Sequence, residues 1–566
     1  TRGTTPIYQP IANLSAAKSA YGNIVYRKAP SFLRQAEFYL GEDKFQTAVR
    51  AFLKKHEYAN AGWEDLVGEF ENASGKDLKD WGTAWIKQLG MPVIRVDRFN
   101  EKVTGAMPPG FDQHRSPGVT FSQVDEFGRA THWPLKFTAL FESATGKKEV
   151  ETVEFEGALH EKLDSIGFFR DLKDTRVVLP NYGDYGYGIF LLDDKSRDYV
   201  LKHIGEEKDP FLKSMMWGAL WDSVREAELD PRDYVELVIR QLPTEADETT
   251  VASLLGRVST ALNYYLPTDA DRVSSPQVSK GSTSDRDCIE PSLTCGLRTR
   301  FEAILLDRMQ HAATPGQRIT FYRAFVANAT TEHGRTVLKQ MLAVTGTRVN
   351  AGAHSCPPDT VCDPNITQTD IANLPLNAHG AKKPVATVPG SDTRATPPLR
   401  TKDKFDIVTH LAILGDPDAA KLLADLEKME TSDDAKRYAY AAIAGFPQAA
   451  SKDKYFHDFL DNKEISESWI EAAIVPFNSI RHSDLSQPYL ERALKELPNL
   501  KRTRKIFFIN NWLAAWLGGQ RNQAALDIVN KFLADNPNLD NDLRLKVLEN
   551  VDVIERAVKI RQKFAH

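Results

Sequence analysis

Within Tyr21-Gly-Asn-Ile-Val-Tyr26-Arg-Lys28, Tyr26 is a residue whose type suits chemistry. A phenol is neutral at pH 7 and donates one hydrogen bond, so it can stabilise an oxyanion as charge develops in a transition state. Pattern alone favours a plainer reading, a half-buried core tyrosine. Other groups that could act are sparse. A zinc peptidase of the His-Glu-x-x-His type needs two histidines one helical turn apart, with a glutamate between them as general base. None of the 13 histidines supplies that spacing, since His56-Glu57 runs into Tyr58-Ala-Asn60 and His160-Glu161 into Lys162-Leu-Asp164. A Gly-x-Ser-x-Gly nucleophile elbow is absent too.

The four cysteines form two close pairs, Cys288 with Cys295 and Cys356 with Cys362, each separated by residues that include proline. Structural zinc sites generally use Cys-x(2–4)-Cys pairs, and these spacings are longer. Local disulfides are the expected state, with free buried thiols as the alternative. Disulfides would place the chain in an oxidising compartment, secreted or periplasmic.

The elements that must position these groups change character along the chain. Residues 1–30 carry prolines and glycines without a sustained period, apart from a short helix expected near Leu14–Tyr21. Phe32, Leu33, Ala36, Tyr39 and Leu40 then fall on one helical face, followed by Gly41. Phe45, Val49, Phe52 and Leu53 make a second face, Trp63, Leu66, Val67 and Phe70 a third, and Leu78, Trp81, Trp85 and Ile86 a fourth. At Met91–Val96 the period drops to two, and alternation returns at Leu135–Phe141 and Val150–Phe155, with Val177–Leu179 closing the set. This predicts a small antiparallel β-sandwich. The run Asn181-Tyr-Gly-Asp-Tyr-Gly-Tyr-Gly188 lacks the Lys-Ser or Lys-Thr of a phosphate loop. From about Asp193 amphipathic helices recur in pairs every 30 to 40 residues, the pattern of a HEAT- or armadillo-like array. The proline-rich stretch 351–400 interrupts it as an irregular insertion.

The expected organisation is therefore mainly α with a small β-sandwich, in three parts: a helical part at 1–90, the sandwich at 91–190 and a helical array at 191–566. At 566 residues several domains are expected, because single cores stop growing at roughly 250–300 residues. A net charge of −5 without a long basic run argues against nucleic-acid partners. No apolar run reaches the roughly 20 residues that a membrane span needs.

Residues 24–94 resemble one family closely. Ile24-Val-Tyr26-Arg-Lys28, Phe32-Leu33, Tyr39-Leu40-Gly41, His56-Glu57-Tyr58-Ala-Asn60-Ala61, Trp81 and Trp85-Ile-Lys-Gln-Leu-Gly-Met-Pro-Val-Ile94 follow, in order and spacing, the end of the catalytic domain in the aminopeptidase N family of zinc metallopeptidases. The likeness continues through Trp133-Pro134, Val178-Leu-Pro-Asn181, Leu220-Trp-Asp222 and the helices after the insertion. It implies the end of a thermolysin-like peptidase domain, then a β-sandwich, then a helical array. It also implies that Tyr26 is the oxyanion donor of the family's Tyr-x-Lys-Gly motif, and that Tyr21 is a weaker second tyrosine beside it. Ala29-Pro30 stands where the motif has glycine. The family's Gly-x-Met-Glu-Asn and His-Glu-x-x-His segments, which bind the substrate amino terminus and zinc, do not occur in this sequence. The resemblance thus implies the C-terminal part of an enzyme that removes N-terminal residues from peptides, with zinc bound by a separate N-terminal portion and none by this chain. The expectation is an inactive isolated chain. The alternative is a peptide- or protein-binding scaffold derived from the same family, with Tyr26 as a structural residue.

Overall fold

The computed structural model describes residues 2–20, 22, 24–99, 118–125, 133–155, 165–169, 174–267, 293–344 and 399–564. These fall into two compact units, Thr1–Leu229 with Asp540–Asp552, and Asp230–Leu539 with Val553–His566. Tyr21, Cys288, Cys356, Cys362, His160 and nearly all of the 351–400 insertion lie outside the described residues.

The first unit begins with helix α1 (Leu14–Ala20), a π-helical turn (Ile24–Lys28), and helices α2 (Ala29–Leu40), α3 (Glu42–Lys55), α4 (Trp63–Ser74) and α5 (Lys79–Lys87). The 3.6-residue spacing buries Phe32, Ala36, Leu40, Val67, Phe70, Leu78, Trp81, Trp85 and Ile86. Helix α4 ends where Gly75 turns left-handed at φ 72°, a conformation that costs glycine nothing. Two residues depart from the inward faces expected of them: Leu33 is 39% exposed and Leu53 63%. Helix α3 buries only Ala48 fully, and Phe45 and Val49 pack half-buried against the core.

Among the described residues seven strands follow: β1 (Val93–Phe99), β2 (Gly118–Val124), β3 (Leu135–Ser143), β4 (Lys148–Phe155), β5 (Ser165–Phe169), β6 (Thr175–Tyr182) and β7 (Ile189–Leu191). They form a four-stranded sheet, β5-β2-β1-β7, and a three-stranded sheet, β4-β3-β6. Phe121 of β2 meets Phe137 and Phe141 of β3 edge-on at 5.7 and 6.5 Å, which closes the sheets into a sandwich. Among the described residues every pairing is antiparallel except β1 with β7, which is parallel. The antiparallel expectation is corrected there, because the three-residue β7 is wholly buried and shows no alternation to read. Helices α6 (Asp194–His203) and α7 (Pro210–Arg225) complete the run of the unit before Leu229.

Helices and sandwich share one core. Trp85 of α5 packs edge-on against Trp133 at 5.5 Å, and its indole Nε1 donates to the Pro134 carbonyl at 2.9 Å. The Gln35 side chain on α2 behaves as an extra peptide group. Its Nε2 donates to the carbonyls of Lys136 (2.8 Å) and Tyr185 (3.1 Å), and its Oε1 accepts the Lys136 N–H at 2.7 Å. Replacing Gln35 by leucine keeps the volume and strands these three backbone groups. It is expected to destabilise the first unit by about 2 kcal/mol, read as a lower urea midpoint for tryptophan fluorescence.

The second unit is a two-layer helical array. Helices beginning at Thr401, Asp433, Glu467 and Ile506 stack in one layer, and those at Ala449, Ser483 and Gln523 in the other. Polar side chains close several helix ends. Lys452 Nζ donates to the Ala444 and Phe477 carbonyls, both at 2.7 Å, His410 Nε2 to Ala329 at 2.7 Å, and His482 Nε2 to Ile413 at 2.6 Å. Each bond satisfies a carbonyl at or just past a helix end, where the last turn has no intrahelical donor.

Candidate active-site turn

Tyr26 sits in the middle of the π-helical turn and is 67% exposed, whereas Lys28 at the end of the same turn is 1% exposed. The local sequence accounts for the wide turn. Pro30 has no N–H, so the Tyr26 carbonyl cannot receive its α-helical i+4 partner, and the α register cannot run unbroken through residues 24–30. Single π turns are rare and recur at functional sites. The Tyr26 and Val25 N–H groups donate to the Gly22 carbonyl, each at 3.2 Å, which closes the upstream side of the turn. Ser31 Oγ donates to the Arg27 carbonyl at 2.8 Å on the downstream side. Ala29, where the motif has glycine, enters α2 directly.

Beneath the turn lies a polar contact in the aromatic core. Lys28 Nζ donates to the carbonyl of Gln88, the C-cap of α5, at 2.7 Å and lies 4.7 Å from the centre of the Trp133 ring. The backbone of Trp133 is clamped by Gln123, which accepts its N–H at 3.0 Å and donates to its carbonyl at 3.1 Å. Burial lowers the Lys28 ammonium to about 8. It also raises the phenol of nearby Tyr187, which packs 6.0 Å from Trp85.

The other residues singled out by type sit elsewhere. His56 caps the C-terminus of α3, with Nε2 4.0 Å from Asp65. Cys295 is buried and disulfide-bonded. The turn at Asn181–Gly188 is held by Asn181, whose Oδ1 accepts the Gly186 N–H at 2.6 Å; it is a structural bend in the sandwich. Among the described residues no three His, Cys, Asp or Glu side chains converge as metal ligands. The deep burial of Lys28 and Gln35 has only a faint sequence signal. Gln35 is a polar residue on an otherwise apolar face, while Lys28 follows Arg27 as though both were solvated. No helix among the described residues is long and apolar enough to cross a membrane.

The peptidase family M1 domain profile matches residues 1–85, the segment that contains the π turn, and an ERAP1-like C-terminal domain profile matches residues 177–276. Over 563 residues the chain is 25% identical to aminopeptidase N of Streptomyces lividans, a match covering 98% of this chain and 56% of that protein. It is 40% identical over 184 residues to aminopeptidase M1-B of Oryza sativa subsp. japonica, covering 31% of this chain and 21% of that protein. It is 35% identical over 184 residues to the alanine/arginine aminopeptidase of Saccharomyces cerevisiae, covering 32% and 20%. The chain thus spans about half the length of the first of these relatives and about a fifth of the other two. The two profile matches and the likeness over 98% of the chain support a member of the aminopeptidase N family.

Proposed function

We propose that this chain is the C-terminal part of a zinc-dependent aminopeptidase that hydrolyses N-terminal residues from peptides. Aminopeptidases of family M1 are generally zinc-dependent, and zinc would supply a Lewis acid and an activated water when bound by the rest of the enzyme. The role of this chain is narrower. The Tyr26 phenol donates its O–H to the scissile carbonyl oxygen, and the bond strengthens as that oxygen gains negative charge in the tetrahedral intermediate. The exposure of Tyr26 on a π turn, within the segment that resembles a peptidase domain, is the observation that carries this reading. The aromatic core behind the turn gives the donor a fixed base, and preorganisation is what makes such a bond selective for the transition state. The disulfide at Cys295 supports an extracytoplasmic location.

Two measurements test the proposal. The reading frame upstream of Thr1, with the intact mass of the protein isolated from its own cells, is expected to contain Gly-x-Met-Glu-Asn and His-Glu-x-x-His segments continuous with this sequence. A start codon adjacent to Thr1 overturns the reading. The purified 566-residue chain is expected to hold well under one zinc by elemental analysis and to leave alanine p-nitroanilide intact. One zinc per chain together with turnover of the anilide would equally overturn it.

A further inference from the structure

The π turn places an exposed phenol and a buried ammonium two residues apart, and the ammonium has no obvious reason to be there. Among the described residues no carboxylate interacts with Lys28, and burial alone accounts for its lowered proton affinity. An unbranched apolar side chain such as methionine would reach the same space without the desolvation cost. What lysine provides is a directed hydrogen bond to a fixed acceptor, the Gln88 carbonyl at the end of α5, with the Trp133 ring on another side. Both neighbours are themselves held. Trp85 of α5 donates to Pro134, and Gln123 brackets the Trp133 peptide from both ends. Pro30 removes the N–H that would bond the Tyr26 carbonyl in α-helical register, and the backbone above follows a π path instead.

We propose that Lys28 is the positioning residue for Tyr26, pinning the turn to the α5 C-terminus and the Trp133 ring so that the phenol keeps one orientation. This rests on the oxyanion role proposed for Tyr26, but the pinning itself can be measured without turnover. In the 566-residue chain labelled with 3-fluorotyrosine, the 19F resonance of Tyr26 is assigned by its loss in Tyr26→Phe. In Lys28→Met that resonance is expected to shift and broaden. Amide exchange over residues 22–28 is expected to rise at least tenfold, with exchange in α4 and the sandwich unchanged. A folded Lys28→Met protein with an unmoved Tyr26 resonance and unchanged exchange at 22–28 overturns the proposal. Should Lys28→Met fail to fold, Trp133→Phe shrinks the ring beside the ammonium and leaves Lys28 in place. Movement of the Tyr26 resonance in that variant supports the pin, and an unmoved resonance sinks it. Failure of the oxyanion reading would appear separately, as unchanged turnover in Tyr26→Phe enzyme.

Discussion

Replacing Tyr26 by phenylalanine in the enzyme that carries the zinc-binding segment is expected to lower kcat by about 10²–10³-fold, the usual effect of removing one oxyanion donor and equivalent to about 2.7–4 kcal/mol of transition-state stabilisation. The loss should fall on kcat and kcat/KM together, with KM nearly unchanged, because the bond gains its strength only when the carbonyl oxygen carries charge. The substitution removes one oxygen from a residue that is 67% exposed, so the thermal midpoint should stay within a degree or two. Steady-state hydrolysis of an alanine anilide, with zinc content checked alongside, separates the outcomes. A kcat within threefold of the parent enzyme would show that Tyr26 is not the donor.

The second large effect concerns acid stability of the helical array. His410 donates from Nε2 to the Ala329 carbonyl at 2.7 Å, which fixes the tautomer, since a carbonyl can only accept. Burial lowers this imidazole to about 4, with Arg481 adding a smaller push in the same direction and the bond to Ala329 opposing both. The sign follows from proton counting. Between the unfolded value of about 6.5 and the folded value of about 4, the unfolded chain binds a proton that the folded chain does not, so stability falls as pH falls through that window. The ceiling is about 3 kcal/mol, since part of the His410 surface still meets solvent. His482, bonded to the Ile413 carbonyl and likewise lowered by burial, acts in the same direction. His410→Gln keeps an amide donor near the position of Nε2 and removes the titration. Urea midpoints measured from pH 7 to pH 4 should therefore fall less steeply in His410→Gln, and less steeply again when His482→Gln is added. Parallel curves for parent and double variant would refute the assignment.

How far these features could be read beforehand differs by kind. Helix positions were legible, because Phe32, Phe70, Trp81 and Trp85 recur with the helical period and are buried where that period puts them. Leu33 and Leu53 were misplaced because periodicity marks a face but does not say how wide a strip of it meets a neighbour. The sandwich was legible in its long alternating strands, β3 and β4. It was not legible in β7, whose parallel pairing with β1 is set by a contact across about a hundred residues of chain. The candidate donor was legible only through the resemblance around Tyr26. Its support was hidden, because a buried lysine looks the same in sequence as a solvated one until Gln88 and Trp133 are brought beside it. The same holds for the histidines that cap carbonyls in the array, whose partners lie 69 and 81 residues away.

The π turn has one more consequence, for angular phase. A π turn closes i to i+5 where an α turn closes i to i+4, and each α-helical residue advances the chain by about 100°. Residues 24–28 thus act as a one-residue offset between the chain before Tyr26 and the axis of α2. Removing a single residue between Tyr26 and Pro30 would swing the Tyr26 side chain by about 100° about that axis. The direction of the phenol is therefore set by how many residues precede Pro30 as well as by which residues they are.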